Sequence, residues 1–249
     1  MEFGLLVEGI KKAFHSYIDN IVAYVVAIIL FFIITGIVYA IGFAGGIAAV
    51  YEAFVNMEFG VALLITVIAA LIGFLILSPL MYSTYYMAIK GTRGEKVKIG
   101  DLFYGFKSGK AFTRSLIYVL VYTIVVTVVS FVVVVVSDFI GGIIGIVDLS
   151  TGVLVAGILT FLLMLLVEIF FFYTIYIYVM TPGEGFFYAL KESVNIGKDN
   201  IVMVILTIII SWILSILIIT IPLGYIFGAY MLKELKPTIK DESGMEAVV

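Results

Sequence analysis

Four stretches of this chain contain no charged residue: Ile21–Tyr51, Phe59–Ile89, Ser115–Ser137 and Asn200–Leu232. A fifth, Leu149–Gly183, is interrupted only by Glu168. Each exceeds the roughly 20 apolar residues that carry a helix across a bilayer core. A membrane β-barrel would need short segments alternating apolar and polar side chains, and runs such as SFVVVVV at Ser130–Val136 do not alternate. In lipid the backbone must satisfy its hydrogen bonds within the segment, so helices are expected despite the β-branched content. The fold class read from this pattern is an all-α polytopic membrane protein with about six transmembrane helices, five being the alternative.

Between the spans a second pattern recurs. LVEGIKK (Leu6–Lys12), DLFYGFK (Asp101–Lys107) and FFYALKE (Phe186–Glu192) align on Lys11, Lys107 and Lys191. Each copy has apolar residues on one face at helical spacing, a small residue before the last of them (Gly9, Gly105, Ala189), then the lysine. About eight to ten residues later each enters a charge-free span, and copies one and three share DNI there, Asp19–Ile21 and Asp199–Ile201. Thr123 and Thr127 of copy two fall opposite Thr207 and Ser211 of copy three. Copies one and three end alike, PLMYSTYYMAIK (Pro79–Lys90) against PLGYIFGAYMLK (Pro222–Lys233), with FFFYTIYIYVM (Phe170–Met180) as the looser match in copy two. The expected unit is a short amphipathic interfacial helix followed by two membrane helices, the second tyrosine-rich near its end. Three copies then occupy 1–89, 90–182 and a shortened 183–235 of a single membrane domain, 1–249, with a flexible cytoplasmic tail at 236–249. Helices with a short apolar face and a lysine opposite suit the headgroup boundary.

All 14 lysines and arginines lie in Lys11–Lys12, Lys90–Arg114, Lys191–Lys198 and Lys233–Lys240. The other two loops hold Glu52, Glu58, Asp138 and Asp148 and no basic residue. The positive-inside rule therefore puts both termini and both basic loops in the cytoplasm of a multi-pass cell-membrane protein, which requires an even number of crossings. Asn200–Leu232 strains that count, being too long for one helix and too short for two full spans. Pro222 with Gly224 marks a kink or turn there, since proline lacks the N–H and disfavours helix at Ile221. A shortened final pair is the expectation; five crossings with an interfacial last helix is the alternative.

Composition narrows the chemistry. The chain is 64% hydrophobic and 12% charged, so lipid must solvate it. It has no cysteine and one histidine, which excludes a disulfide framework and a zinc centre; no metal or cofactor is expected. Absence of glutamine points to a thermophile. Acidic residues Glu2, Glu8 and Asp19 precede the first long apolar run, unlike a cleaved signal peptide, so that run is expected to stay in the mature protein. Lys90–Arg114 carries seven basic residues, but KSGK (Lys107–Lys110) lacks the upstream glycine and following Ser/Thr of a P-loop. Its charge reads as topology, and no nucleic-acid partner is expected. Gly42/Gly46, Gly45/Ala49 and Gly141/Gly145 are spaced for close helix approach. Tyr82, Tyr85, Tyr86, Tyr173, Tyr176, Tyr178, Tyr225 and Tyr230 read as an aromatic belt, with an aromatic-lined cytoplasmic pocket as the functional alternative. His15 reads as solvated.

Glu168 is the exception to an apolar span. An ionised carboxylate at mid-bilayer costs roughly 2.5 to 3.5 kcal/mol on insertion scales, and no basic residue lies at its depth. It is expected to be protonated or to bind a cation. Thr123, Thr127 and Ser130, spaced along one helix at similar depth, are its expected hydrogen-bond partners and complete a candidate proton or ion site.

The basic loop RGEKVKIGDLFYGFK (Arg93–Lys107), the segment ALKESVNIGKDN (Ala189–Asn200) leading to a span with Trp212, and PLGYIFGAYMLKEL (Pro222–Leu235) carry a resemblance over most of the chain. The chain resembles uncharacterised six-helix membrane proteins of bacteria and archaea related to the membrane domain attached to some glycerophosphodiester phosphodiesterases. The resemblance implies an archaeal or bacterial inner-membrane protein, and it transfers no catalytic residue. The functional expectation is a non-enzymatic membrane module, a scaffold or accessory partner of other membrane proteins, with a small proton- or cation-coupled transporter or channel using Glu168 as the alternative. An intramembrane enzyme ranks third, because no Ser/His, paired-Asp or His-rich constellation exists.

Overall fold

The computed structural model describes residues 2–56 and 58–239; residues 240–249, most of the expected tail, lie outside the described residues. The fold is all-helical, 88% helix with no strand among the described residues. In chain order the helices are α1 (Glu2–Asp19), α2 (Ile21–Phe54), α3 (Phe59–Thr92), α4 (Tyr104–Lys107), α5 (Gly109–Gly145), α6 (Leu149–Phe171), α7 (Thr174–Met180), α8 (Phe186–Asp199), α9 (Ile201–Leu214) and α10 (Ile221–Leu235), with 3-10 turns at Ile99–Phe103 and Ile218–Thr220. Five segments are long and apolar enough to cross a membrane: Ile21–Phe54, Phe59–Thr92, Gly109–Gly145, Leu149–Met180 and Ile218–Leu235. A sixth follows if α8 and α9, bent by 106° at their joint, count as one span. This is a multi-pass membrane architecture.

The described residues group into two compact units, Phe3–Leu116 with Ser211–Met231, and Ile117–Ile210 with the segment from Leu232. Their limits fall inside α5, α9 and α10 rather than in loops. In the first unit α2 and α3 pair as a hairpin. A Cβ on Gly45 would stand 3.3 Å from the Ala69 methyl, and one on Gly73 3.5 Å from Val38, so both glycines set close helix approach. In the second unit α5 and α6 pair still more closely, a Cβ on Gly141 falling 2.6 Å from the Gly152 carbonyl oxygen. Gly141 therefore packs as its spacing predicts, whereas Gly42 and Gly46 face open space.

Burial in each unit concentrates at the helix ends that carry the lysines. Tyr24, Ala27 and Ile28 of α2 and Leu80, Tyr82 and Tyr86–Ile89 of α3 are buried, while Phe43, Phe54 and Leu63 toward the other end are exposed. In the second unit Ile175–Met180 are buried, and Phe131, Val153 and Phe161 are exposed. Exposed apolar surface over the length of a span belongs to lipid.

The three amphipathic segments share one burial pattern. The first apolar residue is buried in each (Leu6, Leu102, Phe186), the next is exposed (Val7, Phe103, Phe187), the small residue is buried (Gly9, Gly105, Ala189) and the lysine is exposed (Lys11, Lys107, Lys191). Only α1 and α8 are continuous helices, because in the middle copy the segment divides into a 3-10 turn and the four-residue α4. A Cβ on Gly9 would meet Met231 at 3.0 Å and Phe227 at 3.2 Å, both on α10. One on Gly105 would meet the Pro79 carbonyl oxygen at 2.5 Å, on α3. Segment α8 packs against α7, with Ala189 fully buried.

Two joints between amphipathic and membrane helices are built alike. Asn20 (φ −122°, ψ 20°) and Asn200 (φ −137°, ψ 37°) interrupt the helix, and each side-chain amide donates back to the carbonyl four residues earlier, Ser16 at 3.0 Å and Ile196 at 3.4 Å. At the first corner this bond serves the Ser16 carbonyl, since the Asn20 N–H goes to Tyr17; at the second it adds to the bond that the Asn200 N–H already gives Ile196 at 2.9 Å. The shared DNI is the sequence of this corner.

The stretch Asn200–Leu232 holds two short helices, α9 and α10, joined by a turn. With 14 residues α9 extends about 21 Å, less than the ~30 Å hydrocarbon core, and the 15 residues of α10 reach span length only together with the 3-10 turn before them. The chain turns at residues 215–220, and Gly224 of α10 lies so close to Ser215 and the Ser211 carbonyl that no side chain fits there. Pro222 is the second residue of α10, in the first turn, where a missing N–H costs nothing. The expected kink at Pro222 is thus a helix start just after the turn.

Candidate functional site

Glu168 lies on α6 three residues before that helix ends, and its side chain is half-buried. Its neighbour from α5 is Tyr122, within electrostatic reach of the carboxylate. No described residue donates a hydrogen bond to it. Thr123 and Thr127 are exposed, while Ser130 is half-buried, and no hydrogen bond joins any of the three to Glu168. On α5 the inward positions are Tyr118, Tyr122, Ser130, Val133 and Ser137, spaced by three, four and eight residues. Thr123 and Thr127 sit about 100° and 140° round the helix from Tyr122, and farther still from Tyr118. The aligned hydroxyls of the third copy differ, since Thr207 and Ser211 are buried. Tyr122 falls four residues after Tyr118, on the same face, and that spacing is the sequence signal for it.

The carboxylate borders an aromatic layer. Tyr118 stacks on Tyr122 at 5.5 Å and packs against Tyr178 at 5.3 Å and Phe186 at 5.6 Å; Tyr122 meets Phe171 edge-on at 6.3 Å. Just beyond Glu168 the helix breaks at Phe172–Tyr173, although no proline is present. Ser193 of α8 repairs the break: its hydroxyl donates to the Phe170 carbonyl at 2.7 Å and accepts the Tyr173 N–H at 3.2 Å. Gly197 makes room for Phe170 beside it, since a Cβ there would stand 2.7 Å from the ring. The Tyr173 hydroxyl is fully buried beside Thr207.

Among the described residues most of these tyrosines pack into the protein instead of forming an exposed belt. Tyr82, Tyr86, Tyr173, Tyr176 and Tyr178 are 0–5% exposed. In the first unit Tyr104 stacks on Tyr86 at 3.7 Å and on Tyr82 at 6.3 Å, and Tyr85 stacks on Tyr225 at 4.8 Å. The cavity lined by Tyr24, Ala27, Ile28, Thr84, Met87, Pro222 and Tyr225 holds only about 20 Å³, about one water. They pack as core residues, and in some the polar tip finds a partner, as when Tyr24 donates to the Met87 carbonyl at 3.1 Å. His15, 82% exposed, lies 3.3 Å from Asp19.

Chemically, a half-buried carboxyl beside a phenol can hold or pass a proton. Among the described residues no group of three or more His, Cys, Asp or Glu could hold a metal ion. Comparison with protein-family models, curated proteins and solved structures finds no match.

Proposed function

We propose that this protein is a non-enzymatic membrane module acting as a scaffold or accessory subunit, related to the membrane domains found beside some glycerophosphodiester phosphodiesterases. One observation carries the reading: both long hairpins expose apolar side chains along most of their length, while the polar side chains gathered at the lysine-bearing ends are spent on packing. Ser193 mends a helix break, Ser83 accepts the Gly105 N–H, and the tyrosines fill the core.

Three repeats are part of this reading. The matched burial of the amphipathic segments and the paired asparagine corners support it, as does the contact of each small residue's segment with a tyrosine-rich helix end: α4 with α3, α8 with α7, α1 with α10. Both termini are then cytoplasmic. Supporting this, Pro222 and Tyr225 lie beside Tyr24, Ala27 and Ile28, only about 5 to 11 Å along α2 from its first residue. The last hairpin returns from that shallow level rather than following α2 to its far end.

A second reading, proton or cation transfer through Glu168, is favoured by the Tyr122 neighbour and the adjacent helix break. Two measurements separate the readings. Cross-linking in native membranes is expected to capture a partner at fixed stoichiometry, with no flux in proteoliposomes. Flux abolished by Glu168→Gln, with no partner captured, would establish the second reading instead.

A further inference from the structure

Beside the corner at Asn20 lies a groove of about 400 Å³, lined by Asp19–Ala23 on one wall and Lys96–Ile99 on the other. The second wall is extended chain (Lys98 φ −117°, ψ 151°), and alternation along it puts Val97 inward, 3% exposed, with Lys96 and Lys98 outward. The middle of this wall is pinned. The Val97 N–H donates to Asn20 Oδ1 at 2.8 Å, and the Lys98 N–H donates to Asp101 Oδ2 at 2.8 Å, an oxygen also held by Lys90 at 2.7 Å. Neither the Lys96 nor the Lys98 ammonium group pairs with an acid among the described residues, whereas Lys90 and Arg93 are both engaged. Asp19 is the one acid in the lining, and it faces His15.

The floor is apolar and leads into the membrane. Val22 is 68% exposed, and Ile29, Ile33 and Ile37 continue its stripe down α2 at helical spacing, all exposed. Two exposed lysines carried by a pinned stretch of backbone, at the mouth of an apolar track that begins at the first turn of a membrane helix, match an amphiphile with an anionic head. We propose that this groove binds an anionic phospholipid, its phosphodiester between Lys96 and Lys98 and an acyl chain along Val22, Ile29 and Ile33. A free phosphate would use the lysines alone and leave the track uncovered. Lipids with a net negative headgroup are preferred, because a zwitterionic head presents its own cation to the lysines.

Native mass spectrometry of the detergent-purified full chain tests this, with dioleoyl-phosphatidylglycerol, dioleoyl-phosphatidylcholine and inorganic phosphate as probes. The phosphatidylglycerol adduct is expected to dominate, and Lys96→Gln with Lys98→Gln should weaken it by roughly fivefold per lysine, about 25-fold together. Lys11→Gln with Lys191→Gln removes the same charge elsewhere and should leave it within twofold. Val22→Asn should weaken lipid binding while sparing any phosphate adduct. Melting without lipid, unchanged in all variants, makes the losses readable. Equal binding of the two lipids, equal loss in the two lysine pairs, or displacement of lipid by millimolar inorganic phosphate would overturn the proposal.

Discussion

The Tyr17 hydroxyl, near the end of α1, donates a 2.6 Å hydrogen bond to the carbonyl of Ile219, in the turn between α9 and α10. Tyr17 also stacks on Tyr24 at 5.8 Å, and Tyr24 donates to Met87 near the end of α3. The turn of the last hairpin is therefore tied to the first helix and to the beginning of the first span. Tyr17→Phe keeps the ring and loses the bond, so it is expected to cost about 1 kcal/mol in detergent unfolding. Tyr17→Ala also loses the packing of a ring 4% exposed and should cost about 3 kcal/mol or more. Equal stability of Tyr17→Phe and the parent would show that the turn is held by other contacts.

Gly105 and Gly100 stand five residues apart and should respond differently to alanine. At Gly105 the added methyl would press on the Pro79 backbone, Cα at 2.8 Å and carbonyl oxygen at 2.5 Å, which cannot step aside as a side-chain tip could. A loss of about 1 to 3 kcal/mol is expected. Gly100 has open space, and Gly100→Ala should stay within about 0.5 kcal/mol. Thermal unfolding of the two variants side by side checks the contrast.

Ser193→Ala should uncouple α8 from the helix break. It leaves the buried Tyr173 N–H without an acceptor, a cost of about 1 to 3 kcal/mol, and hydrogen exchange at Tyr173 should accelerate most. Uniform acceleration across α6 and α7 would mean instead that the break is held by packing alone.

Asp148 caps α6, accepting from the Ser150 N–H at 3.1 Å, the Ser150 hydroxyl at 2.8 Å and the Thr151 hydroxyl. These bonds, that from Thr151 first, hold its carboxyl below the ordinary aspartate range. A depressed folded-state pKa contributes stability that is present above the unfolded value and lost as pH falls through the folded one. Local protection of residues 149–152 should therefore persist at pH 4 and vanish only in stronger acid, while Asp148→Ala should abolish it at every pH. Hydrogen exchange across that range checks both.

The spans were legible because a charge in hydrocarbon is costly enough to empty whole segments, and α2, α3, α5 and α6 follow those empty runs. The asparagine corners were visible as a repeated tripeptide. What could not be read was the break at Phe172–Tyr173, because its cause is a hydroxyl 20 residues away in sequence rather than a proline. The tyrosines misled for a related reason: a ring with a polar tip suits an interface or a core with a nearby carbonyl, and only the fold supplies the carbonyl. At the candidate site Glu168 stood out by its charge alone, but its surroundings depend on helix rotation. A rotation of about 100° to 140° separates the exposed Thr123 and Thr127 from Tyr122.

The returning last hairpin is the centre of the account, and the absence of cysteine makes it directly measurable. Single cysteines at Thr238, Asp148 and Glu52 can be labelled with a membrane-impermeant maleimide on sealed inside-out and right-side-out vesicles. Thr238→Cys is expected to react only from the cytoplasmic side, like controls at Lys96 and Glu192, while Asp148→Cys and Glu52→Cys react only from outside. External labelling at Thr238 with Lys96 still cytoplasmic would contradict the account, giving five crossings and a last helix that traverses the bilayer.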